Sequence, residues 1–149
     1  MATVVMVMLL LTGCANASSV TVVGPTPFPA HATMVHVVRT SDHGPAGLPA
    51  FDYTARDATK VQELYDALLK LPSYVAQNSA CPTDLGVQYQ LTFSQASTPV
   101  LSAIADPSGC QVVVLAGQDN RSATHSNIWG LLAAAVGVDL SAVYPIPVH

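Results

Sequence analysis

Between residues 57 and 71 apolar side chains return at three- and four-residue steps, at Val61, Leu64, Tyr65, Leu68 and Leu71, while Lys60, Gln62, Glu63, Asp66 and Lys70 occupy the positions between. That period predicts an amphipathic helix with one buried stripe. Asp57 is a suitable N-cap, because its carboxylate can accept from the first unpaired amides, and Pro72 ends the helix for want of an N–H. Downstream the period drops to two: Val87, Tyr89, Leu91 and Phe93 alternate with Gln88, Gln90, Thr92 and Ser94 over residues 86–94, the pattern of a half-buried strand. Residues 95–99 turn the chain and residues 100–105 run back. Asp106-Pro107-Ser108-Gly109 places Asp, Pro and Gly where a type I turn uses them, and residues 110–115 form a further strand. These three strands read as an antiparallel meander.

Upstream of the helix, residues 32–39 are rich in β-branched side chains and lead into a turn-prone segment, residues 41–49, so a strand and a loop are expected. Residues 51–56 alternate, with Phe51, Tyr53 and Ala55 on one face, and predict a second short strand. Near the other end, residues 117–126 are polar and read as a loop. Residues 127–136 predict a last helix, with Ser126 or Asn127 as cap, Gly137 as stop, and Ile128, Leu131, Leu132 and Ala135 facing the sheet. The tail, residues 138–149, is expected to be extended. The order β-β-α-β-β-β-α, with no internal repeat, predicts an α+β fold: an antiparallel β-sheet with helices packed on one face.

The first thirteen residues differ from all of this, being an apolar run followed by small residues and a cysteine. A helix needs ~20 apolar residues to cross a hydrocarbon core, so the run is too short to span and reads as a processing signal. Leu11-Thr12-Gly13-Cys14 resembles the lipobox of bacterial lipoproteins. The resemblance implies that Cys14 is diacylated and becomes the new N-terminus. The chain departs from the usual pattern in having no Lys or Arg before the apolar run; the other reading makes residues 1–11 a buried strand and Cys14 a core thiol. Residues 15–19 are small or polar and residues 24–29 proline-rich, which suits a semi-rigid tether, although residues 20–23 could instead form a short edge strand. The expected organisation is a signal peptide over 1–13, a lipidated Cys14 and tether over 14–30, and one α+β domain over 31–149.

Assigning Cys14 to lipid leaves Cys81 and Cys110, an even pair in a chain whose signal sends it to an oxidising compartment. A disulfide is the default expectation. It would close a loop of about 30 residues, for which chain entropy gives roughly 3–4 kcal/mol. A redox or zinc pair would call for a CxxC spacing or a Cys/His cluster, and the sequence has neither.

Half of the residues are apolar and 9% are charged, the composition of a folded domain. Nine Asp or Glu against five Lys or Arg give a net charge of −4 without a basic run, so no nucleic-acid partner is expected. The histidines at 31, 36, 43, 125 and 149 match no metal-ligand spacing. Asp119, Ser122 and His125 share one loop, but no GxSxG accompanies them and nearness in sequence does not make a triad. Glu63 is the only glutamate, which leaves no glutamate pair for glycoside hydrolysis, and no glycine-rich phosphate loop precedes a helix. Accordingly no catalytic residue, metal or cofactor is expected.

Taken together, KVQELYDALLKLP (60–72), CPTDLGVQYQLTF (81–93) and DPSGC (106–110) resemble a pattern found in uncharacterised secreted and lipid-anchored proteins of actinobacteria and related Gram-positive or chloroflexal bacteria. The resemblance covers nearly half the chain. It agrees with the disulfide and with the helix-then-hairpin order, and it implies no activity. The expected function is that of a non-catalytic lipoprotein on the extracytoplasmic face of the cell membrane, a binding module for an envelope protein or a cell-wall component. The alternative is a small secreted protease inhibitor, using the proline-bearing loops at 41–49 and 71–82, or a hydrolase.

Overall fold

A computed structural model describes residues 28–29, 31–40, 48–76, 81, 85–117 and 119–144. Six strands, β1 (Met34–Thr40), β2 (Asp52–Ala55), β3 (Gln88–Gln95), β4 (Thr98–Ala105), β5 (Val112–Leu115) and β6 (Asp119–Ser122), form one sheet in the order β2-β1-β3-β4-β5-β6. Every neighbouring pair is antiparallel. Among the described residues three helices accompany it: α1 (Ala58–Leu69), α2 (Ile128–Val136) and the short α3 (Leu140–Val143). The protein is α+β, as its periodicities predict.

Alternation decides which way each strand faces. Val35 and Val37 of β1 lie opposite Phe93 and Leu91 of β3, and Leu91 lies opposite Ala103 of β4; all are buried on one side of the sheet. Leu101, Ala105, Val113 and Leu115 continue that apolar face, and the α1 stripe of Val61, Leu64, Tyr65 and Leu68 closes over it. Tyr65 meets Phe93 edge-on at 5.3 Å, an arrangement aromatic rings favour. Asp57 caps α1 as expected, its Oδ1 accepting from the amides of Thr59 and Lys60 at 3.2 and 3.3 Å. Gly137 ends α2 in the left-handed region at φ 75°, with its amide donating to the carbonyl of Ala133.

Two elements go beyond the expected order. β6 lies in the polar segment read as a loop, and α3 in the tail read as extended. β6 is held by backbone pairing rather than by apolar side chains. It pairs with β5 on one side; on the other, Tyr74 N–H donates to Asn120 O and Ser122 N–H to Pro72 O, so the chain just after α1 extends the sheet. Arg121 secures the junction by donating to Leu71 O at 2.7 Å while its guanidinium binds Asp119 Oδ2. The Asn127 side chain makes no capping bond, and Ser126 Oγ donates to Ala123 O, so neither side chain fills the expected cap role at the start of α2.

Toward the β2 edge of the sheet, Arg39 joins four parts of the chain. It donates to Tyr89 Oη, to Ala142 O within α3 and to Pro49 O, and its guanidinium lies 5.3 Å from the centre of the Phe51 ring. The segment before β1 is also tied down: Tyr65 Oη donates to Pro29 O at 2.6 Å, Ala32 N–H donates to Gln62 Oε1 at 2.9 Å, and Phe28 packs against the core. The 1–13 signal and all of the 14–30 tether except Phe28 and Pro29 lie outside the described residues.

Candidate functional site

Among the described residues the helices that pack on the sheet do so on one face, which leaves the opposite face open. Strand register sets its composition. One row across it reads Thr54, His36, Thr92 and Ser102; the next reads Asp52, Val38, Gln90, Ile104, Val114 and Asn120. Hydroxyls and amides thus alternate with aliphatic side chains, and Ile104 is 44% exposed although it sits mid-sheet. In these rows the two titratable groups face each other: His36 Nε2 lies 2.8 Å from Asp52 Oδ1. Asp52 orients the imidazole across the β1–β2 pair, and both groups remain open to water. A carboxylate-oriented imidazole can hold or pass a proton. Here it lies on the open sheet face beside the hydroxyls of Thr54 and Thr92, an arrangement suited to surface contact.

A groove of about 460 Å³ opens on the helix side between α1 and the segment leading into β1. His31, Thr33, Thr59, Gln62, Glu63 and Asp66 line it with polar groups. Its geometry follows from α1, since residues 59, 62, 63 and 66 recur on one helical face, and from the Ala32–Gln62 and Tyr65–Pro29 bonds that hold the facing segment. Burial, and secondarily the nearby Asp66 carboxylate, raise the pKa of Tyr65 above the ordinary tyrosine value. Burial likewise raises Tyr89, with the hydrogen bond and charge of Arg39 acting in the opposite direction. A smaller depression is lined by Phe28, Pro99, Val100, Leu101, Ser102 and Ala116.

Cys81 and Cys110 form a disulfide that clips the segment after α1 to the turn between β4 and β5. Around it, Asp106 Oδ1 accepts from Ser108 N and Oγ, and Ser108 Oγ accepts from Leu85 N. The Asp119, Ser122 and His125 cluster does not assemble as a triad. Asp119 and Ser122 occupy opposite faces of β6 by its alternation, and Asp119 is bound by Arg121 at 2.6 Å. Among the described residues no three His, Cys, Asp or Glu side chains come together as a metal site, and no helix is long and apolar enough to cross a membrane. Cys14, His43 and His149 lie outside the described residues. Sequence reasoning missed the His36–Asp52 pair. Its signal is a histidine on the outward positions of β1 and an aspartate opening β2, which become neighbours only once the register is known.

No family model, curated protein or solved structure matches the chain.

Proposed function

We propose that this is a lipid-anchored envelope protein whose α+β domain acts as a non-catalytic binding module on the outer side of the cell membrane. The observation that carries the reading is the pairing of Cys81 with Cys110. It leaves Cys14 as the odd cysteine, within Leu11-Thr12-Gly13-Cys14 and behind an apolar run of signal-peptide length. Two acyl chains hold a protein at a bilayer far more durably than one, as each buried CH₂ contributes ~0.8 kcal/mol. On this reading the open sheet face, with its hydroxyls, amides and Val38, Ile104 and Val114, is the surface offered to an envelope protein or a cell-wall component. Metabolic labelling with a palmitate analogue tests the anchor: the wild-type chain takes up label and the Cys14→Ser chain does not. Equal labelling of both would end the proposal.

A further inference from the structure

The disulfide sits beside a tightly constrained piece of backbone. Gln111, the residue after Cys110, has φ 49°, in the left-handed region where a residue with a Cβ persists only if its surroundings impose it. Three bonds impose it here. Its N–H donates to Ser108 O at 2.9 Å, its carbonyl accepts from Ala123 N–H at 2.8 Å, and its side-chain amide donates to Tyr144 Oη at 2.7 Å. Cys110 O also accepts from Thr124 Oγ1. Tyr144 directly follows α3, and its ring centre lies 6.0 Å from that of Trp129. A covalent link, a strained residue and the C-terminal helix are therefore connected in series. The sulfur at one end is within reach of solvent, because Cys81 is exposed while Cys110 is half-buried.

We propose that the Cys81–Cys110 disulfide is a redox latch on α3: a dithiol reductant opens it in the folded protein, Gln111 relaxes out of the left-handed region, and Tyr144 and α3 come loose while the sheet stays intact. In the exchange, a thiolate of the reductant attacks Cys81 Sγ and the S–S bond breaks with Cys110 Sγ as leaving group. The reductant's second thiolate then displaces Cys81. Two electrons and two protons pass to the protein, and the reductant ends as a disulfide. The latch is independent of the membrane anchor, so failure of one leaves the other standing.

The test uses the full chain with dithiothreitol and no denaturant, with peptide-resolved thiol labelling and hydrogen exchange. Cys81 and Cys110 become labelled, and the amides of Ala142 and Tyr144, which bond the carbonyls of Asp139 and Leu140, exchange at least about tenfold faster, while β1 and β3 keep their protection. Fluorescence of Trp129, the only tryptophan, shifts in step. Oxidised Tyr144→Phe, which lacks the hydroxyl that Gln111 binds, exchanges at these two amides like reduced wild type and responds no further to reductant. Four results would overturn the latch: reduction that requires denaturant, exchange at α3 that is unchanged, protection lost across the whole sheet, or a Tyr144→Phe chain that still shows the full response.

Discussion

α1 and α2 lie together on one face of the sheet, and they hold their places by different means. α1 carries a single buried stripe, leaves Thr59, Lys60 and Glu63 in water, and begins on a side-chain cap. α2 is apolar along its whole length, buries Ile128, Trp129, Leu132, Ala133 and Ala135, and has no side-chain cap. Its constraint lies at the far end, where Gly137 turns left-handed; α1 instead ends on Lys70 with φ −88°. An amphipathic helix can be specified locally by period and cap. An all-apolar helix needs cover from several directions, and α2 gets it from α1 on one side and α3 on another.

The largest expected effect tests whether both helices belong to one core. Leu64 and Leu132 are each buried, one per helix. Leu64→Ala and Leu132→Ala should each cost about 2–5 kcal/mol in urea unfolding, the usual cost of a buried leucine truncated to alanine. A loss below about 1 kcal/mol at Leu132 would mean that α2 only rests on the core.

Next in size are the caps, and they should behave as opposites. Asp57→Ala removes the acceptor for two amides at the start of α1 and should cost about 1 kcal/mol. Gly137→Ala places a Cβ at φ 75°, with nothing within 4 Å of it, so the expected loss of about 1 kcal/mol comes from backbone strain alone. Thermal unfolding of the two variants checks both. If Gly137→Ala were neutral, the left-handed stop would not be what fixes the end of α2.

Two buried tyrosines, Tyr65 in α1 and Tyr89 in β3, carry a pH dependence. Burial raises the pKa values of Tyr65 and Tyr89 in the folded protein, whereas unfolded tyrosines titrate near pH ~10. Between the unfolded and folded pKa values the unfolded state binds fewer protons, so stability is fully present below about pH 10 and falls as pH rises above it. Tyr65→Phe should reduce that alkaline slope. It should also cost about 1 kcal/mol at neutral pH through the lost bond to Pro29 O.

The same contrast explains what could be read in advance. α1, its Asp57 cap and β3 were legible because period and burial coincide there: Val87, Tyr89, Leu91 and Phe93 are all buried, as their alternation requires. The pairing of Cys81 with Cys110 was legible from cysteine arithmetic. β6 was not, because Asp119, Asn120, Arg121 and Ser122 have no apolar alternation and are recruited by backbone bonds to β5 and to residues 72–74. α3 was hidden for a related reason. Its Ala142 carbonyl accepts from Arg39 and from Tyr89, which lie 103 and 53 residues away along the sequence, too far for a local pattern to report. The open face was implied by the polar positions of β3, yet its His36–Asp52 pair joins residues 16 apart in sequence and depends on the register between β1 and β2.

The smallest expected effect concerns the start of α2. Gly130 lies inside the helix, and a Cβ built on it would come 2.5 Å from Asn127 Oδ1. That oxygen is the far end of an exposed side chain that makes no capping bond, so it can swing away at little cost. Removing glycine from a helix interior recovers up to about 1 kcal/mol. Gly130→Ala should therefore stabilise the protein by about 0.5 kcal/mol once the displaced amide is allowed for. Asn127→Ala, which deletes the obstructing group and no bond, should change stability by less than about 0.5 kcal/mol. If Gly130→Ala were instead destabilising in wild type and stabilising in the Asn127→Ala background, the amide would be an anchor for the first turn, and α2 would resemble α1 at its start after all.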